Sequence, residues 1–133
     1  APDDGPALQF FDKQGRARLE TGIHNSTPTL KLFDEAARNP RIAVGIPEGQ
    51  PSIKVFGPEG AERAGLGMYN DIPTLALSDP NGQNLAALAV EGKNAAIMLS
   101  DTEDRTRAVI GVVDNAPTIT LLSETGTRTW SAP

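Results

Sequence analysis

The sequence predicts an all-β protein: six tandem units of about 22 residues, each contributing two strands to an antiparallel meander. Three observations predict this. A similar stretch recurs six times, each copy holds two runs of alternating apolar and polar residues, and no window sustains helical i, i+3, i+4, i+7 spacing before Pro or Gly interrupts it. The chain of 133 residues has 13 Gly and 11 Pro, so the elements are short and one domain is expected.

The units open at Pro6, Pro28, Pro51, Pro73, Ala95 and Pro117, giving steps of 22, 23, 22, 22 and 22 residues. The domain therefore spans 1–133, with units 6–27, 28–50, 51–72, 73–94 and 95–116, and a last unit 117–133 completed by 1–5. The first strand of each unit sets Leu8/Phe10, Leu30/Leu32, Ile53/Val55, Leu75/Leu77, Ile97/Leu99 and Ile119/Leu121 on one face. The second strand repeats the alternation in Leu19/Thr21/Ile23, Ile42/Val44/Ile46, Ala64/Leu66/Met68, Ala86/Leu88/Val90 and Ala108/Ile110/Val112. Between them lies a D-x-x-G segment at 12–15 and 79–82, with degraded forms at 57–60 and 123–126. An Asp that accepts backbone N–H groups and a Gly that reaches positive φ make that segment a hairpin loop.

A twelve-strand meander with one apolar face cannot leave that face in water. At roughly 4.8 Å per strand it would be a ribbon about 58 Å wide. The expected solutions are closure into a barrel, trefoil-like or propeller-like ring, folding into a sandwich, or burial against another copy. The alternative is a β-solenoid, in which like strands of successive units pair in parallel. The two chain ends are in phase, because Asp3-Asp4-Gly5 resembles the links before Pro73 and Pro117, so the start of the chain is expected to complete the last unit.

Composition excludes several functions. Twelve basic against seventeen acidic side chains give a net charge of −5, the wrong sign for a protein that neutralises phosphates, so nucleic acid is not expected as a partner. No apolar run reaches the length of a membrane span, and the absence of Cys removes disulfides and thiol chemistry. The single histidine, His24, has no nucleophile elbow near it, and the carboxyl-rich turns lack the density of a calcium loop. No enzyme activity, cofactor or metal is expected. The chain starts at Ala1 without a leader, as a mature exported product does, so an extracytoplasmic location (periplasm, cell surface or secreted) is expected.

Three sets of residues repeat without belonging to the apolar rows. Phe11, Phe33 and Phe56 precede the loops and point away from those rows, as an aromatic stripe suited to a protein interface. Gly22, Gly45, Gly67 and Gly111 sit mid-strand on the same outer side, a costly choice that marks a close approach by a neighbouring unit, another subunit or a ligand. Asp12 with Arg18, Asp34 with Arg41, and Asp101 with Arg107 put opposite charges across one hairpin, as a structural latch. The latch lapses where Gly57 faces Arg63 and where Asp79 faces Leu85.

The pattern P-T-L-x-L-F-D-x-x-G-x-x-R-A-x-L-G-V, carried by 28–46, 51–68 and 95–112, resembles the hairpin repeats of exported bacterial proteins of uncharacterised function. The D-x-x-G-R stretch at 12–16 is also similar to YD/RHS-type repeats, without their regular Tyr. The first resemblance implies an exported, envelope-associated or extracellular β-repeat protein. The function expected is a non-catalytic module that presents a regular surface to protein partners or to copies of itself. The alternative is a small lectin, with sugar held on an aromatic platform to which Phe33 or Tyr69 would contribute.

Overall fold

A computed structural model of the protein describes residues 5–36 and 38–132. Twelve strands follow one another: β1 Ala7–Phe11, β2 Ala17–His24, β3 Thr27–Phe33, β4 Pro40–Gly45, β5 Ser52–Phe56, β6 Glu62–Tyr69, β7 Ile72–Ser78, β8 Asn84–Glu91, β9 Asn94–Ser100, β10 Thr106–Val113, β11 Ala116–Leu122 and β12 Arg128–Ala132. They form one sheet in sequence order, and every pairing is antiparallel.

Two kinds of turn alternate. The first is a three-residue loop in which the N–H of Asp12, Gly57, Asp79, Asp101 or Ser123 donates to the carbonyl four residues on. The third loop residue has positive φ, and it is Gly15, Gly60, Gly82 and Gly126 in four loops but Asp104 (φ 60°) in the fifth. Such loops carry a bulge. A register shift follows at Phe10/Phe11, Val55/Phe56, Leu77/Ser78 and Leu121/Leu122, and between Thr106 and Ala108 opposite Leu99 and Ser100; a sixth, at Leu32/Phe33, adjoins the longer connection between β3 and β4. The second kind is a two-residue reversal with both residues at positive φ, as in Asn25-Ser26, Asn70-Asp71 and Asp114-Asn115. A turn at Pro47–Gly49 joins β4 to β5.

The expected closure does not occur. β1 pairs only with β2, and β12 only with β11, so the sheet is open. The reason lies in the register. Leu8, Thr21, Leu30, Val44, Ile53, Leu66, Leu75, Leu88, Ile97, Ile110 and Ile119 are directly opposite one another from strand to strand, a row with no drift along the strands. A barrel needs a cumulative stagger for its strands to tilt and meet, and these turns supply none. The continuous ladder likewise leaves no separate blades for a propeller, and antiparallel pairing throughout removes the solenoid's parallel coils. The phase match of the chain ends rests on residues 1–4, which lie outside the described residues. Gly5 itself donates its N–H to Ile23 O (3.0 Å) and so extends the first hairpin.

A single layer has no interior. Among the described residues the only buried apolar side chain is Ala76, 7% exposed, and it points away from the apolar rows. Leu66 remains 52% exposed, Leu77 50% and Ile110 47%.

Candidate interaction faces

The two faces of the sheet differ in chemistry. A second cross-strand row, from Phe10 through Leu19, Leu32, Ile42 and Val55 to Leu121 and Trp130, runs beside the first on the same side. Across both rows Thr21 is the one polar side chain, and none is charged. Over the β1–β7 half, Leu8, Leu30, Val44, Ile53 and Leu66 line an open apolar trough of about 1060 Å³. These residues carry the strand periodicity, and sequence reasoning assigned them to a hidden side. No local signal in the sequence marked them as open.

The opposite face is mixed, with charged, polar and small side chains from β1 to β8 and then Met98 and Val109 on β9 and β10. Gln9, Glu20 and Lys31 stand side by side, with Gln9 Nε2 and Lys31 Nζ both donating to the Glu20 carboxylate (2.6 and 3.0 Å). Those two bonds hold the Glu20 carboxyl below its usual range. His24 Nε2 lies 3.3 Å from Glu20 Oε1 and joins the same cluster. Further along, Lys54 pairs with Glu62 (2.8 Å), which raises the lysine pKa.

The glycine row lies on this face: Ala7, Gly22, Thr29, Gly45, Ser52 and Gly67 are opposite one another in turn. What approaches each glycine is the preceding strand to which it is paired, rather than a third body. A Cβ on Gly22 would stand 2.7 Å from Pro6 O, on Gly67 2.8 Å from Pro51 O, and on Gly111 2.5 Å from Ala95 O. Gly45 is less confined, with Pro28 O at 3.2 Å.

The structure brings the three charge pairs together, with Arg18 Nη1 at 3.3 Å from Asp12, Arg41 Nη1 at 2.7 Å from Asp34 and Arg107 Nη1 at 3.2 Å from Asp101. A second bond was invisible in the sequence. Arg18 Nε donates to Phe33 O (3.2 Å), Arg41 Nε to Phe56 O (2.9 Å), Arg63 Nε to Ser78 O (3.0 Å) and Arg107 Nε to Leu122 O (3.1 Å). Each guanidinium thus ties its own hairpin loop to the end of the following hairpin's first strand, except for Arg63, whose loop begins with Gly57 instead of Asp. The planar fork of Arg suits this double duty.

The loop carboxylates also organise their own turns. Asp12 Oδ1 accepts the N–H groups of Gln14 and Arg16, and Asp79 and Asp101 repeat the pattern. The Arg16 N–H lowers the Asp12 pKa, and the Gln83 N–H does the same for Asp79. At Asp101 desolvation pushes the carboxyl up, but bonds from the Arg105 N–H, the Arg105 guanidinium, the Glu103 N–H and Arg107 outweigh it and bring the pKa to about 2.

The Phe stripe is uneven. Phe11, on the terminal strand, is 58% exposed, whereas Phe33 and Phe56 are half-buried. Among the described residues no group of three His, Asp or Glu could hold a metal ion, and no helix is long and apolar enough to cross a membrane. No protein-family model matches the chain, and no curated protein matches it.

Proposed function

We propose that the protein is a non-catalytic structural and interaction module, built of six two-strand units and working outside the cytoplasm, whose apolar sheet face is its contact surface. The single observation that carries this reading is the absence of a core among the described residues: the side chains that carry the strand pattern are half in water. The chain presents 8917 Å² of accessible surface. A compact monomer of 14.0 kDa presents about 6700 Å², so roughly 2200 Å² is in excess. Soluble monomers rarely expose a contiguous apolar patch beyond a few hundred Å². The recurrent bulge and the Arg bridges support the unit structure, and the resemblance to exported hairpin repeats supports the location.

A sugar-binding reading gains nothing from this geometry, because Phe33 and Phe56 are half-buried and offer no repeated open platform. The proposal is tested by dye binding and sedimentation on the same sample. An open contact face binds an apolar fluorophore such as ANS in the dilute chain and loses that binding when a partner covers it. A folded β-protein that is monomeric and binds no dye overturns the reading.

A further inference from the structure

We infer that the occupant of the apolar face is a second copy of this chain, packed sheet on sheet, so that the stable form is a two-layer sandwich of two molecules. This rests on the contact-module reading and names its partner. Three observations select a second copy.

The first is area. An excess of roughly 2200 Å² per chain, buried from both sides, falls among permanent interfaces of about 2000–5000 Å² in total and well above the transient class. The second is shape. In the second row Leu77, Leu99 and Leu121 stand on alternate strands, with Ala86 and Ala108 between them and Ala64 on the strand before Leu77. That gives a corrugation with a period of two strand spacings, about 9.6 Å. A surface of the same period and chemistry is the same face of another molecule, and a shift of one strand places leucines against alanines. Two such faces also meet at the ordinary inter-sheet distance of about 10 Å. The third is charge. Neither row contains an ionised side chain, so the face offers a charged partner nothing, while the polar face and the loops keep the charges of both copies outside.

The test is sedimentation velocity of the full chain over a wide concentration range, with two single variants on β9. Leu99 lies in the apolar row, and Met98 beside it points to the opposite face, in the row that already holds Lys31 and Lys54. The expected result is a species of twice 14.0 kDa, at least a hundredfold weaker in Leu99→Lys and unchanged in Met98→Lys. Hydroxyl-radical labelling of the unmutated chain gives a readout independent of either variant. Leu66, Leu77 and Leu99 are expected to lose labelling several-fold on association, while Phe11 keeps it.

A folded monomer at every concentration overturns the inference, as does open-ended growth, which would mean pairing through the free edges of β1 and β12. Equal weakening by both variants, protection of the glycine face, or flotation of monomers with phosphatidylcholine vesicles also overturns it. A monomer that still binds ANS rejects only the second copy, whereas one that binds none rejects the contact-module reading as well.

Discussion

Replacing Gly67 with Ala reverses the usual sign of a strand substitution. Gly in a strand interior ordinarily costs about 0.5–1 kcal/mol relative to Ala, so the generic expectation is a gain. Here the new Cβ would stand 2.8 Å from Pro51 O and 2.9 Å from Ser52 Cβ, where ordinary contact begins at 3.4 Å. The carbonyl cannot simply retreat, because it accepts the Met68 N–H at 3.0 Å. Relief therefore needs a shift of about half an ångström in a paired strand. Overpacking of this kind costs about 1–3 kcal/mol, which leaves a net loss of about 0.5–2 kcal/mol after the propensity gain. Gly45→Ala is the internal control: its nearest contact is 3.2 Å, and the two effects nearly cancel. Urea unfolding followed by circular dichroism, at one fixed protein concentration, reads both variants as midpoint shifts at constant slope. A midpoint that rises in Gly67→Ala, or falls further in Gly45→Ala than in Gly67→Ala, refutes the reasoning.

Acid should weaken the Asp101 turn in a defined window. Because the folded carboxyl titrates at about 2 against an ordinary 3.8, the unfolded chain binds more protons between those values, so this contribution is complete above about pH 4 and fades as pH falls toward 2. Thermal melts of Asp101→Asn should show a flatter slope across that range, and parallel slopes would remove the carboxylate from the account. Asp104→Gly should stabilise by about 0.5–1 kcal/mol, since a non-glycine residue at φ 60° is relieved of left-handed strain, as a raised urea midpoint would show. Arg107→Lys keeps the charge but cannot hold Leu122 O and Asp101 together. It should cost about 0.5–1 kcal/mol and speed amide exchange at β11, and unchanged exchange there would show the bridge to be idle.

The strands and loops were legible in the sequence because each rests on a local rule. Period-two alternation set Leu30 and Leu32 on one face without reference to anything distant, and Asp12 followed by Gly15 specified a loop by its own hydrogen bonds. Closure was not legible in that way, because it depends on a sum over the whole chain. Each loop with its bulge, and each two-residue turn, returns the next strand to the same height, so the stagger stays near zero after twelve strands. The Asp–Arg pairs showed as opposite charges at fixed spacing, but the second acceptor of each arginine is a carbonyl that every residue possesses, so Phe33 O and Leu122 O left no mark. The glycines advertised a close approach and not its source, since the backbone of β1 beside Gly22 looks the same in sequence as any other neighbour. Leu66 and Ile110 were expected to be hidden for a sound reason. An apolar face covered by its own chain and one covered by another molecule have the same pattern.

Cohesion in this sheet is therefore of two kinds that act in perpendicular directions. Within the layer, ladder bonds, the Gln9–Glu20–Lys31 cluster and the arginine bridges tie each strand to its sequence neighbours. These contacts are local, so the layer behaves as a one-dimensional array whose stability is nearly a sum of unit and neighbour terms, and such short-range topology favours rapid formation. Normal to the layer the chain supplies almost nothing, because no second layer lies over Leu66, Leu77 or Ile110. Polar bridges at partly exposed sites are each worth a fraction of a kcal/mol to about 1 kcal/mol, too little to replace a core against the backbone entropy of about 1–2 kcal/mol per ordered residue. The arginine bridges fix the spacing and register of the strands, and with it the regularity of the apolar rows. On the proposed reading, whatever covers those rows supplies the folding energy that the single layer lacks, and binding and stability become the same event.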